Sequence, residues 1–146
     1  MGSLGVLLDR VRGERREGSA RIGDRGERVA ARMLRRKGYA ILGRNVRVPM
    51  GEADLVCLDP DRRTVVLIEV KARVRRAGAI GGSRVAPEAN VHEHKRRKLL
   101  RIARFLRRAN RWEGRPFRID VVAVEWPGSV RGRPILRHHR SAVGQH

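Results

Sequence analysis

Four charged side chains interrupt two otherwise apolar runs. Glu52 and Asp54 lie in Gly51-Glu52-Ala53-Asp54-Leu55-Val56-Cys57-Leu58, and Glu69 and Lys71 end Val65-Val66-Leu67-Ile68-Glu69-Val70-Lys71. Both runs read as strands, and a strand sends side chains i and i+2 to the same face. Glu52 therefore shares a face with Asp54, and Glu69 with Lys71. Asp59-Pro60-Asp61-Arg62 between the runs is turn chemistry, so they are expected to form a hairpin. In the natural register three carboxylates and one ammonium meet at one end of a sheet. Such a cluster is costly unless a metal, a proton or a substrate compensates it. Asp54 and Glu69, with waters and a phosphate oxygen, would make an Mg²⁺ or Mn²⁺ site. A metal held there lowers the pKa of bound water and neutralises phosphoryl charge. Lys71 would orient the attacking water or stabilise the transition state.

These strands need helices to close the site. Ala20 to Lys37 reads as a helix with an apolar stripe of Ala30, Ala31, Met33 and Leu34, and with Gly38 at its C-cap. Helical phase turns Glu27 inward, either to pair with a neighbouring arginine or to join the acidic cluster, directly or through water. A second helix is expected from Val91 to Asn110, with Asn90 and Glu93 forming a capping box. Its stripe is Val91, Leu99, Ile102 and Leu106, backed by Ala103 and Phe105. Lys95 falls inside that stripe. It either snorkels to the rim or points at the carboxylates or a bound phosphate.

Tyr39–Leu42 and Asn45–Val48 form an extended stretch interrupted near Gly43; Phe117–Trp126 is a further strand, and Ile135–His138 a last short one. The order α, three strands, α, two strands predicts a mixed central sheet flanked by helices. Ala72 to Ala89 reads as a flexible basic loop, a linker or a segment that orders on a phosphate backbone through Arg73, Arg75, Arg76 and Arg84. Arg96 and Arg97 on the second helix extend the basic surface. Residues 1–18 read as a basic arm, 19–140 as one domain and 141–146 as a tail. Glu52 is read as pairing with an arginine or touching metal, and Asp120 as structural, paired with a helix arginine. His92 and His94 fall on different helical faces, and His138, His139 and His146 are read as without a role.

The net charge of +20 and pI ≈ 11.9 over 146 residues point to a polyanion, with nucleic acid ahead of an anionic membrane surface. No apolar run is long enough to span a membrane, and residues 1–8 are too short for a signal peptide, so a cytoplasmic location is expected. The lone Cys57 excludes an internal disulfide and a cysteine-rich zinc site. Aromatic residues make up 3%, which argues against base-stacking platforms. There are only four lysines, Lys37, Lys71, Lys95 and Lys98, among 35 basic side chains. A compact ammonium does what a guanidinium fork does not, so each lysine is of interest.

Gly26-Glu27, Gly38-Tyr39, Arg44-Asn45, Gly51-Glu52-Ala53-Asp54-Leu55-Val56 and Ile68-Glu69-Val70-Lys71-Ala72-Arg73 resemble the YraN family of small bacterial proteins. Lys95-Arg96-Arg97-Lys98-Leu99 and Arg118-Ile119-Asp120-Val121-Val122 match its later blocks, so the resemblance covers roughly residues 20–140. It implies a restriction-endonuclease-like α/β fold similar to archaeal Holliday junction resolvases, with Glu27, Asp54, Glu69 and Lys71 on the nuclease motif. Ala53 departs from the proline often found there. The expected activity is Mg²⁺-dependent cleavage of DNA, favoured over RNA, with branched or damaged DNA as the candidate substrate. Junction cutting would require a homodimer, since two opposed strands need two sites. The competing expectation is a non-catalytic DNA- or RNA-binding module on the same fold.

Overall fold

A computed structural model describes residues 17–75 and 92–143, with side chains for 21–75 and 92–142. The element order is α1 (Glu17–Arg36), β1 (Ala40–Val48), β2 (Gly51–Leu58), β3 (Val65–Arg75), α2 (Glu93–Ala109), β4 (Phe117–Pro127) and β5 (Ile135–Val143). The strands form one sheet in the order β1-β2-β3-β4-β5. β3 and β4 are parallel, joined across α2, and the other pairs are antiparallel. This is the mixed α/β fold expected from the sequence.

The helices take opposite faces. Ala30, Ala31 and Leu34 of α1 are fully buried with Leu55, Cys57, Val66, Ile68 and Val122. Leu99, Ile102, Ala103 and Leu106 of α2 are buried with Val56, Val65, Leu67 and Ile119 on the other face. Both faces of β2 and β3 are therefore covered, which explains their near-continuous apolar runs. α1 packs mainly on β3, and α2 on β1 and β2.

Several boundaries differ from expectation. α1 begins at Glu17 rather than Ala20. Gly38 does cap it, at φ 92, with Tyr39 N–H donating to the Leu34 carbonyl at 3.0 Å. β1 is continuous, and Gly43 marks a register shift within it rather than an end. α2 is capped by His92 without a side-chain cap bond, so the Asn90 capping box does not apply to this helix start; Asn90 itself lies outside the described residues. Phe105 is exposed rather than in the α2 core. β3 runs to Arg75, so Arg73 and Arg75 belong to a strand and not to a flexible loop. Its parallel pairing with β4 through Arg75↔Pro127 supplies the backbone partners that keep it extended. β5 likewise continues to Val143, past the expected His138 and into the expected tail.

Candidate functional site

β2 and β3 pair only from Leu58↔Val65 to Leu55↔Ile68. One step further the register would set Asp54 directly opposite Glu69, and like charges placed so are destabilising. The ladder stops there. β2 continues along β1 through Ala53, Glu52 and Gly51, while β3 continues along β4. Asp54 Oδ2 takes the place of the missing backbone acceptor, receiving the Val70 N–H at 2.8 Å.

The parting strands open a cleft of ≈300 Å³ that both helices wall. α1 supplies Gly23 and Glu27, β2 Glu52 and Asp54, β3 Glu69 and Val70, and α2 Lys95 and Lys98. α1 reaches it because Gly26 lets the helix lie directly on β3: a Cβ there would be 2.5 Å from the Ala72 Cβ. Glu27 is buried, as its helical phase predicted. Lys95 Nζ lies 2.8 Å from Glu69 Oε1, so it points at the carboxylates rather than snorkelling away. Glu52 stands 3.7 Å from Arg47 Nε. It is thus both an arginine partner and a wall of the cleft.

Burial, then the Glu69 and Glu27 carboxylates, raise Asp54 from 3.8 to about 8. The Val70 N–H and the Lys95 ammonium pull it the other way without prevailing. Asp54 thus ionises less readily in the cleft than in water. A donor set made wholly of carboxylate oxygens suits a hard cation such as Mg²⁺ or Mn²⁺. Asp54 and Glu69 are the oxygen donors that would hold it. Among the described residues no three His, Cys, Asp or Glu side chains form a ready-made metal cage.

Lys71 shares the face of Glu69 by strand alternation and is half-buried, one step beyond the cleft walls along β3. Arg73 and Arg75 are drawn to Glu125 of β4 instead of standing free on a loop. Arg97 pairs with Glu93 on the outside of α2 at 3.3 Å, and Arg96 is half-exposed beside it. Arg76 and Arg84 lie outside the described residues.

The spacing argument missed Asn45. It holds φ 48, a left-handed conformation that asparagine tolerates better than most residues. With its amide turned to donate, Asn45 Nδ2 lies 2.9 Å from Glu27 Oε2 and 3.3 Å from Glu52 Oε1. It ties the α1 carboxylate to the β2 carboxylate. The only sequence signal was its place in one of the resemblance blocks. Lys98 was noted as a lysine and given no role.

Asp120 is structural, but its partners are not helix arginines. It accepts from Arg118 Nε at 2.9 Å and from the Ser141 N–H at 2.8 Å, and it meets His138 Nε2 at 2.8 Å. Burial pushes its pKa up, but the bonds from His138, Arg118 and Ser141 outweigh this and hold it low. Arg118 also reaches the Tyr39 hydroxyl at 3.1 Å and Asp59 at 2.9 Å. His138 is therefore a buried anchor of β5.

The model of uncharacterised protein family UPF0102 matches residues 26–124. The chain belongs to the UPF0102 family. This is the YraN family that its motif blocks resemble. UPF0102 protein PA4424 of Pseudomonas aeruginosa is 43% identical over 110 residues, covering 75% of this chain and 82% of that protein. UPF0102 protein RB9115 of Rhodopirellula baltica is 36% identical over 126 residues, covering 85% and 71%. UPF0102 protein Mmc1_3298 of Magnetococcus marinus is 43% identical over 104 residues, covering 70% and 77%. The UPF0102 match begins at Gly26, so it takes in every cleft residue except Gly23. Among the described residues no helix is long and apolar enough to cross a membrane.

Proposed function

We propose that this protein is an Mg²⁺- or Mn²⁺-dependent phosphodiester hydrolase, an endonuclease acting on DNA, with branched or damaged DNA as its preferred form. The observation that carries the reading is the raised Asp54 carboxyl facing Glu69 where β2 and β3 part. A +20 chain has no electrostatic reason to line this cleft with carboxylates if a polyanion alone is to enter. A divalent cation reconciles the two, since it binds the carboxylates and a phosphate oxygen together.

In this scheme Asp54 and Glu69 would hold the ion, whose chemistry would be to activate water and offset phosphoryl charge. The Val70 N–H fixes the Asp54 carboxylate, and Asn45 holds the Glu27 carboxylate in place from the side of Glu52. Lys71, one same-face step along β3 from Glu69, brings its ammonium beside the attacked phosphate and offsets the charge that grows there. Lys95 exchanges Glu69 for a substrate phosphate oxygen. Purified protein is expected to cut DNA with Mg²⁺ or Mn²⁺, and Asp54→Ala to abolish cutting while keeping binding. Undiminished cutting by Asp54→Ala rejects this assignment.

A second reading is a DNA- or RNA-binding module without turnover. It is favoured by the Lys95–Glu69 contact of 2.8 Å, which already supplies a counter-charge inside the protein. Calorimetry separates the two. Divalent-ion uptake abolished by Asp54→Ala supports the hydrolase, and no uptake by the wild type supports the module.

A further inference from the structure

Beyond Glu69, β3 carries Lys71, Arg73 and Arg75 on the face that Glu69 occupies, because Val70, Ala72 and Val74 pack on the α1 side. The four positions advance about 6.6 Å per step and span about 20 Å from Glu69 to Arg75. The parallel register puts Glu125 of β4 beside Arg73, and Arg137 of β5 pairs with neighbouring Ala123. These side chains converge. Arg73 donates through Nε and Nη2 to Glu125 Oε2, both at 2.6 Å. Arg137 Nη2 lies 3.6 Å from the same oxygen, and Arg75 Nη1 lies 3.8 Å from Oε1.

Glu125 is buried, with 4% of its side chain exposed, and one guanidinium would suffice to compensate it. Arg73 and Arg75 alone bring two, so the cluster keeps positive charge in excess. Arg73 and Arg75 are half exposed, at 50% and 57%, and each guanidinium has N–H donors beyond those directed at Glu125. The main packing of α2 is on β1 and β2, away from β4 and β5.

We propose that this sheet face, Lys71, Arg73, Arg75 and Arg137 around the Glu125 anchor, is the track on which a nucleic-acid phosphodiester backbone lies as it enters the cleft. The proposal rests on the hydrolase reading for its direction, since the track ends at Glu69. Guanidinium forks match phosphate oxygens. Mounting them on paired strands with a shared carboxylate means that little side-chain freedom is lost on binding. The opposite face is covered by α1 and presents no comparable convergence among the described residues.

The test is fluorescence anisotropy with a labelled DNA duplex in EDTA, on the full chain carrying Asp54→Asn, across a salt titration. Arg75→Ala and Arg137→Ala are each expected to weaken binding about tenfold near 0.1 M salt and to flatten the log–log salt slope by about 1. Arg28→Ala, exposed on α1, serves as the control and is expected to leave both unchanged. Thermal melts check folding. Arg75→Ala, at the end of β3, carries the test should Arg137→Ala unfold. If Arg75→Ala binds as the parent does, or if Arg28→Ala weakens binding as much, the track is refuted. A loss confined to phosphatidylglycerol vesicles, with duplex binding intact, also refutes it. Cleavage by the chain with Asp54 restored is scored separately. A binding loss without any cleavage upholds the track and sinks the hydrolase; cleavage with no binding loss does the reverse.

Discussion

Asp54→Asn removes the charge at the heart of the cleft while keeping a side-chain oxygen to accept the Val70 N–H. The asparagine is nearly isosteric, so packing and the 2.8 Å bond survive. What changes is the cost of ionisation. An acid whose folded pKa lies above its unfolded value binds its proton more tightly when folded. Its contribution to stability is complete below the unfolded value of 3.8 and is lost as pH rises through about 8. At about 1.4 kcal/mol per pKa unit, that interval sets a ceiling of about 6 kcal/mol. Water reaching a half-buried carboxyl reduces it to ~1–3 kcal/mol. Urea unfolding of both proteins in EDTA, from about pH 5 to about pH 9, measures the difference directly, because groups common to the two cancel. Asp54→Asn is expected to gain ~1–3 kcal/mol over the wild type across that range, with most of the gain between about pH 6 and about pH 8. A difference that stays flat, or that favours the wild type as pH rises, refutes the claim that the cleft penalises ionisation of Asp54.

Lys95→Met removes the internal counter-cation from Glu69, and calorimetry is expected to show Mn²⁺ binding about tenfold tighter, worth ~1.4 kcal/mol; an unchanged dissociation constant would mean that Lys95 does not compete for Glu69. Gly26→Ala is expected to destabilise the fold by ~1–3 kcal/mol despite a helix-propensity gain of ~1 kcal/mol, because the added Cβ meets Ala72 at 2.5 Å. A raised urea midpoint for Gly26→Ala would show that α1 does not rest on β3 through this glycine. Asp120→Asn leaves Arg118 buried without its main partner and should cost ~3–5 kcal/mol at neutral pH. Because Asp120 titrates below its ordinary 3.8, that difference is expected to persist above this value and to fade as pH falls beneath it, which acid-range unfolding curves would reveal.

What the chain declares locally is its periodicity. Alternation in Val65–Lys71 and the 3.6-residue stripe of α1 were enough to put Glu69 and Lys71 on one strand face and to turn Glu27 inward. Helical phase also put Lys95 on the inward stripe of α2, but only the fold turned it to Glu69 rather than to the rim. These features repeat within a few residues, and burial of one face enforces them. Element ends were less legible. β3 outran Lys71 by four residues because β4 lies beside it to receive its backbone, and Arg73 and Arg75 alone give no sign of that partner.

The sequence by itself thus determined the element order, the mixed α/β class, the net basic charge and the inward phase of Glu27 and Lys95; that these two join Asp54 and Glu69 in one cleft was decided by the tertiary structure. Only the tertiary structure decided how the neighbourhood works. The parting of β2 from β3 follows from competition among strands for partners, which no single strand encodes. Asn45 reaches Glu27, and His138 locks onto Asp120, across 18 residues in each case, and Asn45 also meets Glu52. Glu125 gathers arginines from β3 and β5 because β4 lies between those strands in the sheet. Each of these contacts depends on long-range register, which is fixed only once a strand's apolar face is buried against its neighbours.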